Sequence, residues 1–138
     1  MANQNWKQTD VSQEEIVEIL ELANSLLREA QTDNEKVDYL GSHRANSEFR
    51  RMNNLREEDI YRLASTADLY DFCHYERDSR RQNEKLYCFK LSLLLSSDVE
   101  EDVLYKFKIR QENGEQVFVM SFHYPDENKE PWVHLWHR

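Results

Sequence analysis

Val103-Leu-Tyr-Lys-Phe-Lys-Ile-Arg-Gln-Glu-Asn113-Gly114-Glu-Gln-Val-Phe-Val-Met-Ser-Phe-His-Tyr124 alternates apolar and polar residues on both sides of an Asn-Gly pair. Asn-Gly is the strongest short-range hairpin signal, because a type I′ turn needs positive φ at both central positions. With Asn113 and Gly114 at the turn centre, Arg110 faces Val117, Lys108 faces Val119, Lys106 faces Ser121 and Leu104 faces His123. One face then carries Tyr105, Phe107 and Ile109 against Phe118, Met120 and Phe122, an aromatic surface suited to packing on a helix. The other face carries Lys106, Lys108, Arg110, Ser121 and His123.

Period-two alternation also marks Leu69–Tyr75 and Leu86–Leu95 as strands, with a short fifth at Trp132–Trp136. A second strand pairing alongside brings Lys90 to the basic face. Upstream the period changes. Ser12 and Glu15 form a capping box, Val11 and Ile16 its hydrophobic staple. Ile16, Ile19, Leu20, Ala23, Leu26, Leu27 and Ala30 follow as a helical stripe, so a helix is expected over about 13–29. Thr32–Lys36 reads as a loop, Ser47–Met52 as a short helix, and Asn54 with Glu57 as the cap of another through Ile60, Tyr61, Leu63 and Ala64. Helices before strands give an α+β fold. The N-terminal helices, about 11–67, should pack on one face of an antiparallel four- to five-stranded meander, about 69–138, in one domain spanning 1–138.

The 138 residues carry a formal net charge of −9, with 33% charged, 39% hydrophobic and 12% aromatic residues. That aromatic share offsets ordering entropy and argues against a disordered chain. The acidity argues against broad gripping of a nucleic-acid backbone. It suits a binder of basic surfaces. Met1–Asp10 has no apolar signal core and no run is long enough to span a membrane, so a cytoplasmic protein with reduced cysteines is expected. Cys73 and Cys88 form no metal-type pair. Only two glycines occur, Gly41 and Gly114, and no Gly-x-Ser-x-Gly elbow. Phosphate-cradling loops and nucleophilic hydrolases are thereby disfavoured.

His123, His134 and His137 cluster near the C-terminus. Three readings apply to them. They could ligate a metal with Asp126, Glu127 and Glu130, although a strand at Trp132–Trp136 would turn His134 and His137 to opposite faces. They could move protons in phosphodiester cleavage, with Lys106, Lys108 or Arg110 supplying positive charge. Or they pack structurally. His43 and His74 stand alone in the sequence and carry no functional reading.

Leu55-Arg-Glu-Glu-Asp59-Ile60-Tyr61, Leu86-Tyr-Cys-Phe-Lys90-Leu and Val119-Met-Ser121-Phe122-His123 follow one another in an order that resembles MqsR-type toxins of bacterial toxin–antitoxin modules. His123-Tyr-Pro125 and His134-Leu-Trp-His137 are similar to the His-rich end of TumE-type toxins. Both likenesses run from about residue 55 to the end. The chain departs from them in the longer Ser96–Asp102 connection and in its acidity. The MqsR likeness implies a RelE-like sheet and mRNA cleavage, with the basic face as the substrate face.

The expected function is therefore a toxin-like, metal-independent endoribonuclease. His123, His134 and His137 are its candidate catalytic residues, and Lys90, Lys106, Lys108, Arg110 and Ser121 its candidate substrate contacts. No cofactor and no metal site are expected. The competing expectation is a non-enzymatic acidic inhibitor or adaptor of phage anti-defence type. It would bind a basic protein surface through Asp98, Glu100, Glu101 and Asp102. Either way a protein partner is expected, an antitoxin or an inhibited target, and no membrane.

Overall fold

Ser12 accepts a 3.1 Å hydrogen bond from the Glu15 backbone N–H, and the first helix α1 runs Gln13–Glu29, as its capping residues predict. The computed structural model describes residues 6–30, 34–81, 83–111 and 114–138. Ile16, Leu20, Ala23, Leu26 and Leu27 of α1 are buried. Each large apolar side chain removed from water in this way contributes about 1.5–3 kcal/mol.

A 3₁₀ turn at Asn34–Lys36 leads into a three-residue strand β1 (Val37–Tyr39), then α2 (Arg44–Asn53) and α3 (Glu57–Ala64). The expected loop at 32–36 is partly this turn, and Thr32 and Asp33 lie outside the described residues. α2 is longer than Ser47–Met52. Asn54 does not open α3: it ends α2 in the left-handed region, at φ 54°. The orphan N–H of Arg56 is satisfied instead by the Asp59 carboxylate at 2.9 Å.

A second 3₁₀ turn, Leu69–Asp71, precedes β2 (Phe72–Arg77), followed by β3 (Lys85–Leu94), β4 (Glu100–Arg110) and β5 (Gln116–His123). The sheet order is β1-β5-β4-β3-β2. Strands β2 to β5 form the expected antiparallel meander, but the sheet as a whole is mixed, because β1 lies parallel to β5. The fifth strand is thus β1 and not Trp132–Trp136. Residues 124–138 form no strand. They fold back instead, with Leu135 N–H donating to the Phe72 carbonyl and the Trp136 ring stacked on Phe72.

The hairpin register holds where Leu104 faces His123 and Lys106 faces Ser121, and slips by one residue nearer the turn. Phe107 pairs with Val119 and Lys108 with Phe118, so β5 carries one extra residue at Met120, a bulge. Val117, Val119 and Phe122 are consequently the buried residues of β5. Phe118 lies on the other face, beneath the Arg110 guanidinium at 3.9 Å. Asn46 of α2, fully buried, holds the bulge open. Its Nδ2 donates to the Leu40 and Met120 carbonyls, and its Oδ1 accepts from Phe122 N–H. Gly114 takes φ +82°, as the turn requires; Glu112 and Asn113 lie outside the described residues. One core joins α1, α3 and the inward rows Tyr87-Phe89-Leu91, Val103-Tyr105-Phe107 and Val117-Val119-Phe122. Among the described residues, no helix is long and apolar enough to cross a membrane.

Candidate functional site

Strand alternation sends the residues between those core rows to the outer face of the sheet. The register lines up four of them across adjacent strands: His74 with Cys88, Cys88 with Lys106, and Lys106 with Ser121. Glu76 lies two residues along β2 from His74, and His123 two residues along β5 from Ser121, so both share this face. Residues 124–138 return across one end of it. Lys90 Nζ donates to the Trp132 carbonyl at 3.0 Å, and the Trp132 ring meets His74 edge-on at 5.0 Å.

Between this segment and the sheet lies a cleft of about 450 Å³ lined by Glu76, Lys106, Ser121, His123, His43 and Trp132, among others. His123 is half-buried in its wall. Its Nδ1 lies 2.8 Å from the Tyr124 carbonyl, which can only accept, so Nδ1 carries the proton and Nε2 keeps its lone pair. Burial holds the imidazole below its ordinary pKa, against the raising pull of the Tyr124 carbonyl. The neighbouring His43, Lys106 and Lys129 side chains add to the lowering. His123 is therefore a neutral base near pH 7. The His43 ring stacks on it, 6.2 Å between centroids and 15° between planes. His43 sits exposed at the start of α2, where its side chain makes no capping bond.

The basic face read from the hairpin exists, but its cations are already engaged. Lys106 binds Glu76 at 2.8 Å. Lys108, only 5% exposed, is clamped between Asp78 and Glu84, both at 2.7 Å. Arg110 binds Asp38 at 2.8 Å. The Lys108 clamp counters burial and raises the ammonium pKa, while the Lys108 hydrogen bond holds Asp78 below the usual carboxylate range. Burial pushes the Glu76 carboxyl up, but the nearby His74 imidazole and the Lys106 ammonium bonded to it overcome that and leave its pKa lowered. Lys108 and Arg110 line a separate cleft of about 620 Å³ with Arg80 and Phe118.

The structure thus brings Lys106, Ser121 and His123 together. His134 and His137 do not line their cleft. His134 Nε2 bonds the Lys90 carbonyl at 2.9 Å, and His137 is exposed near the C-terminus. Asp98 lies in the β3–β4 connection, and Glu100, Glu101 and Asp102 are the first residues of β4, where Glu100 accepts from Ser92 and Glu101 from Tyr124. Four residues that sequence reading left without a role join the face: His43, His74, Glu76 and Cys88. The alternation in Phe72-Cys-His-Tyr-Glu76 was the available signal, since it puts His74 and Glu76 on one side of β2. Cys73 and Cys88 are both buried free thiols. No family model, no curated protein and no solved structure matches this chain. The residues of the cleft alone carry the functional reading.

Proposed function

We propose that the cleft performs acid–base cleavage of an RNA phosphodiester, making the protein a toxin-like endoribonuclease. The observation that carries this reading is the stacked imidazole pair, one member of which has its free Nε2 set by the Tyr124 carbonyl. Nε2 of His123 takes the 2′-hydroxyl proton as O2′ attacks phosphorus. His43, protonated, delivers a proton to the departing O5′, leaving a 2′,3′-cyclic phosphate. Lys106 turns from Glu76 toward the crowded phosphorane, and Ser121 donates to a phosphate oxygen. Trp6 and Trp132, both on the cleft, offer stacking faces to unpaired bases. A reducing cytoplasm suits the two free thiols.

The test is cleavage of a single-stranded RNA oligonucleotide by wild-type, His123→Ala and His43→Ala protein, with product ends identified by mass. Loss of one proton-transfer group costs on the order of 100- to 10,000-fold in rate. Unchanged cleavage by His123→Ala refutes the assignment.

A second reading draws on the engagement of the β4 cations by the chain's own carboxylates. The exposed acids Asp98, Glu100 and Asp102 then stand beside the exposed apolar residues Leu94 and Val99. This tip would dock on a basic surface of a protein partner, as an inhibitor or adaptor does. Its mark is salt-sensitive partner binding that disappears when Asp98, Glu100, Glu101 and Asp102 are changed to their amides. Binding that survives those changes overturns it.

A further inference from the structure

We propose that His74, Glu76 and Cys88 form a buried site for one divalent transition-metal ion of zinc type. One ligand atom from each, a ring nitrogen, a carboxylate oxygen and Sγ, lies within 4.8 Å of the other two. The three residues are 3%, 8% and 0% exposed. His74 Nε2 is the independent sign. It is buried, has no hydrogen-bond partner, and stands 3.6 Å from Glu76 Oε2. A buried ring nitrogen without a partner is costly and calls for an explanation.

The His74–Glu76 distance suits a metal better than a hydrogen bond, and the Cys88–Glu76 distance is compatible with either. Zinc binds nitrogen and oxygen at about 2.0–2.1 Å and sulfur at about 2.3 Å, which places tetrahedral ligand atoms roughly 3.3–3.6 Å apart. Glu76 Oε2 is 3.6 Å from His74 Nε2 and 3.6 Å from Cys88 Sγ. The first is long for an N–H···O bond; the second is the length of an S–H···O hydrogen bond from the Cys88 thiol, and both are close to a coordination edge. The third edge, Cys88 Sγ to His74, is no longer than 4.8 Å, so an approach of up to about 1.2 Å completes the triangle. Lys106 holds the other oxygen, Oε1, at 2.8 Å and so fixes the carboxylate with Oε2 turned inward. Such outer partners orient ligands in metal sites.

Ligand chemistry selects the ion. A thiolate with an imidazole favours zinc or cobalt over magnesium or calcium, which take oxygen ligands. On binding, the Cys88 thiol gives up its proton to solvent and the sulfur electron pair goes to the ion. Trp6 and Trp132 approach the His74 ring edge-on at 6.1 and 5.0 Å and close the site from that side. Glu76 also lines the cleft, which is the side from which a fourth ligand, water, can arrive. The site goes beyond the cleavage reading and does not depend on it: neither His43 nor His123 is a ligand, and Lys106, which the two readings share, orients Glu76 here and leaves it only when a phosphate enters the cleft.

The experiment titrates chelator-stripped, reduced, full-length protein with Co²⁺ and then displaces it with Zn²⁺. The expected result is one Co²⁺ per chain with a thiolate-to-cobalt charge-transfer band that Zn²⁺ removes. Cys73→Ser keeps the band, Cys88→Ser loses it, and His74→Gln binds at least ~10-fold more weakly, the scale on which even outer-partner changes act. X-ray absorption of the zinc-loaded wild type keeps the test sound if Cys88→Ser fails to fold: one sulfur and nitrogen or oxygen neighbours are expected. Folded wild type that binds no Co²⁺, a band that persists in Cys88→Ser, or a zinc shell without sulfur overturns the proposal. His123→Ala separates the two readings, since it should stop RNA cleavage and leave the cobalt band intact.

Discussion

Lys108→Met tests whether the outer sheet face is held by ion pairs. In the wild type the ammonium meets Asp78 and Glu84 at 2.7 Å each, with side-chain exposures of 7%, 15% and 27% for the three residues. Methionine keeps most of the apolar stem and removes the ammonium with its charge and two hydrogen bonds, leaving two carboxylates facing one another with little water between them. Breaking a buried pair by deleting one partner costs about 3–5 kcal/mol. Because Glu84 is partly wetted, the lower end applies, about 3 kcal/mol. Unfolding entropy of roughly 2.1 cal/mol/K per residue over 138 residues converts this to a fall of about 10 °C in Tm. Circular dichroism melts at pH 7 provide the assay. Adding Asp78→Asn and Glu84→Gln to Lys108→Met should recover more than half of the loss, because no uncompensated charge then remains. A Lys108→Met melt within about 2 °C of wild type, or no recovery in the triple variant, refutes the account of Lys108 as a clamp.

Asn46→Ala strands the Leu40 and Met120 carbonyls and the Phe122 N–H together; a loss of about 3 kcal/mol is expected, read as a lower urea midpoint at constant slope. The acid limb of kcat/KM for RNA cleavage should lie below 6.5, because burial lowers the His123 pKa from that value and keeps the base neutral into mild acid. A limb centred above 6.5 contradicts the assignment. Asp78, through its Lys108 bond, and Glu76, despite its burial, are held below their ordinary values of 3.8 and 4.5. Their contribution to stability is complete above those values and disappears as pH falls through the lower folded-state pKa values, so urea midpoints should drop as pH falls below the ordinary values of 4.5 and 3.8. RNA binding should show a shallow salt dependence, a slope of about −0.7, the contribution of a single phosphate contact on a single strand.

Local signals were legible and long-range ones were not. The α1 boundaries follow from Ser12, Glu15 and the apolar stripe, all within a few residues of one another. The meander follows from alternation, and the Lys106–Ser121 and Leu104–His123 pairs from the Asn-Gly turn. The one-residue slip nearer the turn has its cause in Asn46, 74 residues before Met120 in the chain. No pattern within the hairpin announces it. β1 was equally hidden. Three residues carry little alternation, and their pairing with β5 is parallel and remote. Trp132–Trp136 alternates like a strand, yet it meets the β2 edge through one backbone bond, Leu135 N–H to the Phe72 carbonyl, and is held by the Trp132 and Trp136 rings instead of a ladder. His123 beside Lys106 and Ser121 was readable from the hairpin alone. His43, Glu76, His74 and Cys88 reach that face through α2 and through the β2–β3–β4 register, which the sequence does not print.

The acidity of the chain and its basic sheet face are linked through the C-terminal segment. A sheet face open to water could carry Lys106, Lys108 and Arg110 at no cost. Covered by residues 124–138 at one end and by the Asp78–Glu84 stretch at the other, the lysines lose much of their hydration and must be compensated. The chain supplies that compensation from Glu76, Asp78, Glu84 and Asp38. These pairs consume the positive footprint that a broad nucleic-acid interface would need. On the cleavage reading we propose, recognition in the cleft falls to what remains there: two stacked imidazoles, one exchangeable lysine, a serine hydroxyl and tryptophan faces. That set would suit one phosphate and its flanking unpaired bases rather than a duplex.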